Sequence, residues 1–180
     1  MSHVALADKI GPFTYFCTGS LPHENAEAAV DFILSRHWIL PFWPELPQRS
    51  FAEFMLARTE RAARPDWSGY VEDEAAGLFA LKRKLRAGGR QLPILKCQLM
   101  GPLSFMAYSQ RLAGSFEENL DLAGALCVKQ ILWQGCFFDE VAGDLLFVID
   151  EPALAQWDNL SAREQRRLAE GYSYLYSAVA

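Results

Sequence analysis

The stretch Leu145-Leu146-Phe147-Val148-Ile149-Asp150-Glu151-Pro152-Ala153-Leu154 constrains the fold more than any other part of the chain. An apolar run ends there in two adjacent carboxylates and a proline. A run so apolar and so short suits a strand buried on both faces, as in parallel sheets covered by helices. Carboxylates are costly to bury, so acids at the exit of such a strand belong where barrels and open α/β sheets bind ligands. One segment therefore points to an architecture and to a candidate site.

Three further strand candidates precede it. Phe13–Thr18 is closed by Gly19-Ser20, Trp38–Trp43 contains Pro41, and Pro93–Leu99 turns at Gly101-Pro102. Pro41 cannot donate to a ladder, so the second strand is expected to be short, bulged or at an edge. Helical patterns alternate with the strands. Asn25 to His37 carries Ala26, Ala29, Val30, Ile33 and Leu34 in an i, i+3, i+4, i+7, i+8 stripe. Phe51 to Arg64, Glu72 to Arg86 (ended by Gly88-Gly89) and Phe116 to about Val141, with an interruption allowed at Gly135, follow. A last helix starts near Ser161, which forms a capping-box pattern with Glu164. Such alternation implies an α/β fold with a parallel sheet, right-handed crossovers and about four βα units. No Gly-x-Gly-x-x-Gly or Gly-x-x-x-x-Gly-Lys-Ser/Thr follows the first strand, which removes the best support for dinucleotide or nucleoside-triphosphate binding.

The 180 residues suit a single domain over 1–180 with a sizeable core, and the hydrophobic fraction of 51% excludes general disorder. No apolar stretch is long enough to cross a bilayer, and the segment Met1–Lys9 lacks the basic start and apolar core of a secretory signal. A cytoplasmic protein without membrane contact is the expectation. The net charge of −5 argues against nucleic-acid binding. The basic run Lys82–Arg86 follows the acidic Glu72–Glu74, as on one solvated helix whose charges match its macrodipole. Four cysteines, Cys17, Cys97, Cys127 and Cys136, make no C-x-x-C pair, and the histidines are not spaced as metal partners. No metal site is expected from this chain alone. Cys17 and Cys97 lie in strand-like runs, where a reduced cysteine acts as a small hydrophobe.

Three motifs occur in order at the expected strand ends: Thr18-Gly19-Ser20-Leu21-Pro22-His23, Gly101-Pro102-Leu103-Ser104 and Ile149-Asp150-Glu151-Pro152-Ala153-Leu154. Together they resemble the cobalamin-independent methionine synthase family, within the wider group that includes uroporphyrinogen decarboxylase. The resemblance runs from about Phe13 to the C-terminus. A looser match, Glu45-Leu46-Pro47-Gln48-Arg49-Ser50-Phe51-Ala52-Glu53-Phe54, resembles the family segment whose glutamate holds the amino group of homocysteine. Trp43-Pro44 stands where the family usually has His-Gly. The resemblance implies a (β/α)8 barrel related to the TIM barrel, which takes ~250 residues. This chain would be its first half. The family's zinc ligands, a histidine, a glutamate and two cysteines, lie in the second half and have no match here.

The resemblance implies that Gly19 and Ser20 bind an amino-acid carboxylate, while Glu45 and Asp150 bind its ammonium group. Alternation puts Asp150 with Leu146 and Val148 on one strand face and Glu151 with Phe147 and Ile149 on the other. Glu151 is a ligand candidate with a structural alternative, a helix-capping acid at the turn before Pro152. His23 reads as a loop residue or cap, with a general base lacking any visible partner as the alternative, His37 as a charge at the end of the first helix, and His3 as part of a mobile terminus. Lys96 and Gln98 share a strand face; they are expected to pair with an acid such as Asp150, with lining of the barrel lumen as the alternative. Trp38, Phe42 and Trp43 form a core or rim cluster, or a cover for a planar ligand.

Three functions follow. The first is the substrate-binding part of a methionine-synthase-like methyltransferase acting on a thiol amino acid such as homocysteine, with zinc supplied from elsewhere. The second is a metal-free uroporphyrinogen-decarboxylase-like enzyme. The third is a non-catalytic half-barrel that binds a small ligand and self-associates, because open strand edges invite pairing. A homo-oligomer or a missing second half of the barrel is the expected partner.

Overall fold

The computed structural model describes residues 10 and 14–179. His3 and Phe13, the start of the first expected strand, lie outside the described residues. The elements are α1 (Ala26–Leu34), a 3₁₀ turn (Phe51–Glu53), α2 (Met55–Ala62), α3 (Ala76–Ala87), β1 (Leu92–Met100), α4 (Pro102–Tyr108), α5 (Phe116–Phe138), β2 (Ala142–Asp150), a 3₁₀ segment (Pro152–Asn159) and α6 (Ala162–Val179). This is a mixed α/β chain in which β1 and β2 form a two-stranded parallel sheet. Among the described residues, no helix is long and apolar enough to cross a membrane.

The two expected strands ahead of β1 are reduced to isolated parallel bridges: Tyr15 with Ile39, Ser20 with Glu45, and Phe42 with Lys96. Pro41 explains part of this. Its carbonyl accepts from the Lys96 N–H at 2.8 Å, but it has no N–H to return. The bridges still establish a direction and an order, from the Tyr15 segment through the Ile39 segment to β1 and β2.

Two compact units divide the chain. The first holds the described residues up to Phe54 with Val71–Gln98 and Gly135–Val148; the second holds Met55–Tyr70, Leu99–Gln134 and the residues from Ile149 onward. In the first unit, Asn25 caps α1 by accepting the Ala28 N–H at 2.9 Å. Helix α1 buries Ala29, Val30 and Ile33, the expected stripe. It stops at Leu34, short of His37, where the Ser35 hydroxyl turns back onto the Phe32 carbonyl at 2.9 Å. Ala29 packs with Leu46 and Ala76, and Ile33 with Ile39 and Phe42.

Two helix boundaries in this unit differ from expectation. Helix α3 begins at Ala76, and Glu72–Glu74 form the turn ahead of it. The acids therefore do not sit on the helix as a macrodipole match requires. Instead Arg83 reaches Glu72 at 2.6 Å and Glu27 at 2.9 Å, and these two carboxylates hold its guanidinium above its ordinary pKa. The expected Phe51–Arg64 helix splits at Phe54, whose ψ of 139° is extended, because Glu53 is turned fully inward.

In the second unit, Ala62, Met100, Phe105, Ala123 and Leu126 make one buried cluster, and Leu103, Leu120, Ala153 and Leu168 another. The Gly101-Pro102 turn opens a short helix, α4, with proline at its first turn. Helix α5 runs through Gly135 without interruption. The capping box of α6 forms: Glu164 accepts the Ser161 N–H at 2.8 Å, and Ser161 Oγ accepts the Glu164 N–H at 3.3 Å. The Ser161 hydroxyl and then its N–H hold the Glu164 carboxyl below its ordinary value of 4.5. A depressed folded pKa gives stability above the unfolded value that is lost as pH falls through the folded one. Thermal melts should show the wild type more stable than Glu164→Gln near neutrality, with the two converging in acid. A difference independent of pH would contradict this role.

Candidate functional site

Ser20 and Glu45 are brought together by the backbone. The Glu45 N–H donates to the Gly19 carbonyl at 2.9 Å, and the Leu21 N–H donates to the Glu45 carbonyl at 3.0 Å. This parallel register sets Ser20 Oγ 3.1 Å from Glu45 Oε2. Ser20 is exposed, whereas Glu45 is 3% exposed. A serine hydroxyl thus lies over a buried carboxylate at the ends of two parallel segments.

Gly19 is required twice over. Its φ of 125° is one that side chains resist, and an added Cβ would stand 2.6 Å from Gln98 Cδ. Gln98 Nε2 donates to the Trp43 carbonyl at 2.8 Å. Lys96 Nζ donates to the Thr18 carbonyl at 2.9 Å and lies 5.7 Å from the centre of the Phe42 ring. Lys96 and Gln98 are each 1% exposed. They form a buried polar layer that ties the first two segments to β1 just behind Gly19. The alternation of side chains along the strand put these two residues on one face, as expected. It did not find the Thr18 carbonyl as a partner of the ammonium, because backbone acceptors leave no mark in a sequence. Trp43 and Phe42 are fully buried and belong to the core, while Trp38 is exposed.

Asp150 and Glu151 belong to the second unit. Asp150 ends β2, is partly buried, and its carbonyl accepts the Gly101 N–H at 3.0 Å. The Glu151 carboxylate accepts the N–H groups of Leu103 at 2.8 Å and Ser104 at 2.7 Å, together with the hydroxyls of Ser104 and Tyr172. Glu151 therefore caps α4, a helix distant in sequence, and not the turn before Pro152. A Cβ on Gly101 would stand 2.2 Å from Glu151 Cδ. The Gly-Pro-Leu-Ser and Asp-Glu-Pro motifs are thus two halves of one joint. Burial pushes the Glu151 carboxyl above its ordinary pKa, against the pull of the bonds from Ser104 and Leu103. Ser104 and Tyr172 were not singled out as site residues, although Ser104 stands inside a quoted motif.

His23 packs on Phe32 with ring centres 5.7 Å apart, and its buried Nδ1 has no hydrogen-bond partner. That environment gives no support to a general base. His37 is exposed, three residues beyond the end of α1. Among the described residues, no three His, Cys, Asp or Glu side chains are grouped to hold a metal ion. Two of the cysteines, Cys97 and Cys127, are poor zinc ligands as well, since a ligand must be a thiolate. Burial raises the Cys97 thiol, and burial with the nearby Glu151 charge raises Cys127 to about 12. No family model matches the chain, and no curated protein or solved structure matches it either.

Proposed function

We propose that the chain is the substrate-binding part of a methionine-synthase-like (β/α) half-barrel, and that it holds a small thiol amino acid such as homocysteine. The 3.1 Å contact between Ser20 Oγ and Glu45 Oε2 at adjoining strand ends carries this reading. Parallel strands deliver ligand-binding groups at their carboxyl ends, where Gly19, Ser20 and Glu45 stand. The half-barrel architecture is supported by the parallel order of four segments, separated in sequence by helical stretches, and by the order of the three motifs.

In this reading the ligand's carboxylate lies against the exposed Ser20 end of the Gly19-Ser20 turn. The ligand's ammonium replaces the Ser20 hydroxyl on Glu45 Oε2. A buried carboxylate is a strong acceptor for an ammonium because little water competes for it. The described residues bind and orient; no thiol-activating step is assigned to them.

Calorimetric titration tests the proposal with L-homocysteine and with 4-mercaptobutyrate, which keeps the carboxylate and the thiol but lacks the ammonium. A charge-assisted hydrogen bond contributes about 1.5–3 kcal/mol, so Glu45→Gln should weaken homocysteine binding roughly 10- to 100-fold. Ser20→Ala should weaken it less. Equal affinity for the two ligands, or unchanged affinity in a folded Glu45→Gln protein, would remove the ammonium from the site.

A further inference from the structure

The parallel order in the first unit leaves two flanks open among the described residues. Tyr15 directs its N–H to the Trp38 carbonyl at 2.8 Å, and its own carbonyl accepts the Leu40 N–H at 3.0 Å. Backbone groups alternate in direction along a strand, so those of Phe16 face the opposite flank. Tyr15 and Phe16 are 61% and 54% exposed. At the other flank, the ladder neighbour of β2 is β1. Eight of the nine β1 residues are buried, yet Leu145 through Ile149 of β2 are all partly exposed. A Leu-Leu-Phe-Val-Ile strand is composed for burial on both faces, and an open apolar edge is a template for another strand.

We propose that a second copy of this chain covers both flanks. The Tyr15–Thr18 segment of each copy pairs with the Leu145–Ile149 run of the other, closing eight parallel strands about a twofold axis. The two edges of one parallel sheet match in direction, and a twofold axis uses both at once. The area is sufficient. Tyr15, Phe16 and Trp38, at 61%, 54% and 53% exposure, with the partly open β2 run, leave roughly 600 Å² per copy if an aromatic side chain presents ~150–250 Å². Two copies then bury about 1,200 Å², at the lower end of stable interfaces. The proposal rests on the half-barrel reading above and is independent of the ligand.

Cys17 makes the seam testable. Within one copy the Ile39 segment and β1 separate Cys17 from β2, about 14 Å at ~4.8 Å per strand, whereas a disulfide spans at most ~7 Å between Cα atoms. A disulfide from β2 to Cys17 therefore joins two copies. In a Cys136→Ser background, single substitutions Leu145→Cys, Leu146→Cys, Phe147→Cys and Val148→Cys are oxidised mildly and run on non-reducing gels. Light scattering on the unmodified chain should give twice the 20.3 kDa of one copy. Cysteines on the strand face shared with Cys17 should cross-link to dimer and no further, those on the other face should not, and Cys17→Ser should abolish the band. A monomer at every concentration, a ladder beyond dimer, or a dimer without any Cys17-dependent cross-link overturns the proposal. Homocysteine titration of the same preparation separates the two readings. A monomer that binds homocysteine overturns only the second copy, and a dimer that does not bind it overturns only the ligand.

Discussion

Glu53→Ala is expected to destabilise the protein by about 3 kcal/mol, a large part of the ~5–15 kcal/mol that holds a typical domain together. Glu53 is fully buried. Its carboxylate accepts the Ala76 N–H at 3.0 Å and, more weakly, the Leu46 N–H at 3.4 Å, and it meets the Arg49 guanidinium at 3.2 Å. Ala76 is the first residue of α3, whose N-cap position, Ala75, offers no side-chain acceptor. Glu53 thus satisfies an orphan donor and opposes the positive end of the helix dipole from another segment. Removing it strands buried N–H groups. The cost sits at the low end of the range for a broken buried pair, because Arg49 is 30% exposed and recovers water. Glu53→Gln keeps one acceptor and should lose less. Urea unfolding decides the matter: a loss under about 1 kcal/mol for Glu53→Ala would show that the carboxylate is not holding α3.

The second large effect is expected at Gly77. Alanine in place of a helical glycine ordinarily adds up to about 1 kcal/mol of stability. Here a Cβ would stand 2.0 Å from the Pro44 carbonyl oxygen and 2.9 Å from its carbon, and this obstruction is backbone that cannot rotate away. Overpacking of that kind costs about 1–3 kcal/mol or more, so the clash wins and Gly77→Ala should destabilise by roughly 2 kcal/mol. Gly124 in α5 is the control. Nothing lies within 4 Å of an added Cβ there, so Gly124→Ala should stabilise. Opposite signs for two Gly→Ala changes, each in a helix, would locate the effect in the contact with Pro44. Because Pro44 precedes Glu45, Gly77→Ala should also weaken the proposed homocysteine binding of the folded fraction.

These two predictions bear on one feature. Gly77 at the start of α3 packs against Pro44, and Glu53 of the 3₁₀ turn, which also accepts the Ala76 N–H, accepts the Leu46 N–H; together they fix the backbone that carries Glu45.

Periodicity located most elements because it reflects burial. The Ala29, Val30 and Ile33 stripe and the capping box of α6 are each written within a few consecutive turns of chain, and the apolar run of β2 marks a strand, although that strand is partly exposed and not buried on both faces. Boundaries set from afar escaped it. The split at Phe54 and the late start of α3 both follow from Glu53 reaching across to Ala76, 23 residues on. Ladder continuity escaped as well, since the Tyr15 and Ile39 segments read as strands yet form only single bridges. At the site, the Ser20–Glu45 pair was suggested by family resemblance and not by spacing. The role of Glu151 was reachable in kind, an acid at a helix start. The helix it caps lies 47 residues away from it in sequence and could not be named.

Amide chemical shifts of the ¹⁵N-labelled protein during titration with L-homocysteine probe the proposed site most directly. Saturable shifts that are largest at Gly19, Ser20, Leu21 and Glu45, and lost in folded Glu45→Gln, are expected. Shifts centred elsewhere, or none at millimolar ligand, would contradict the binding of an amino acid at these strand ends.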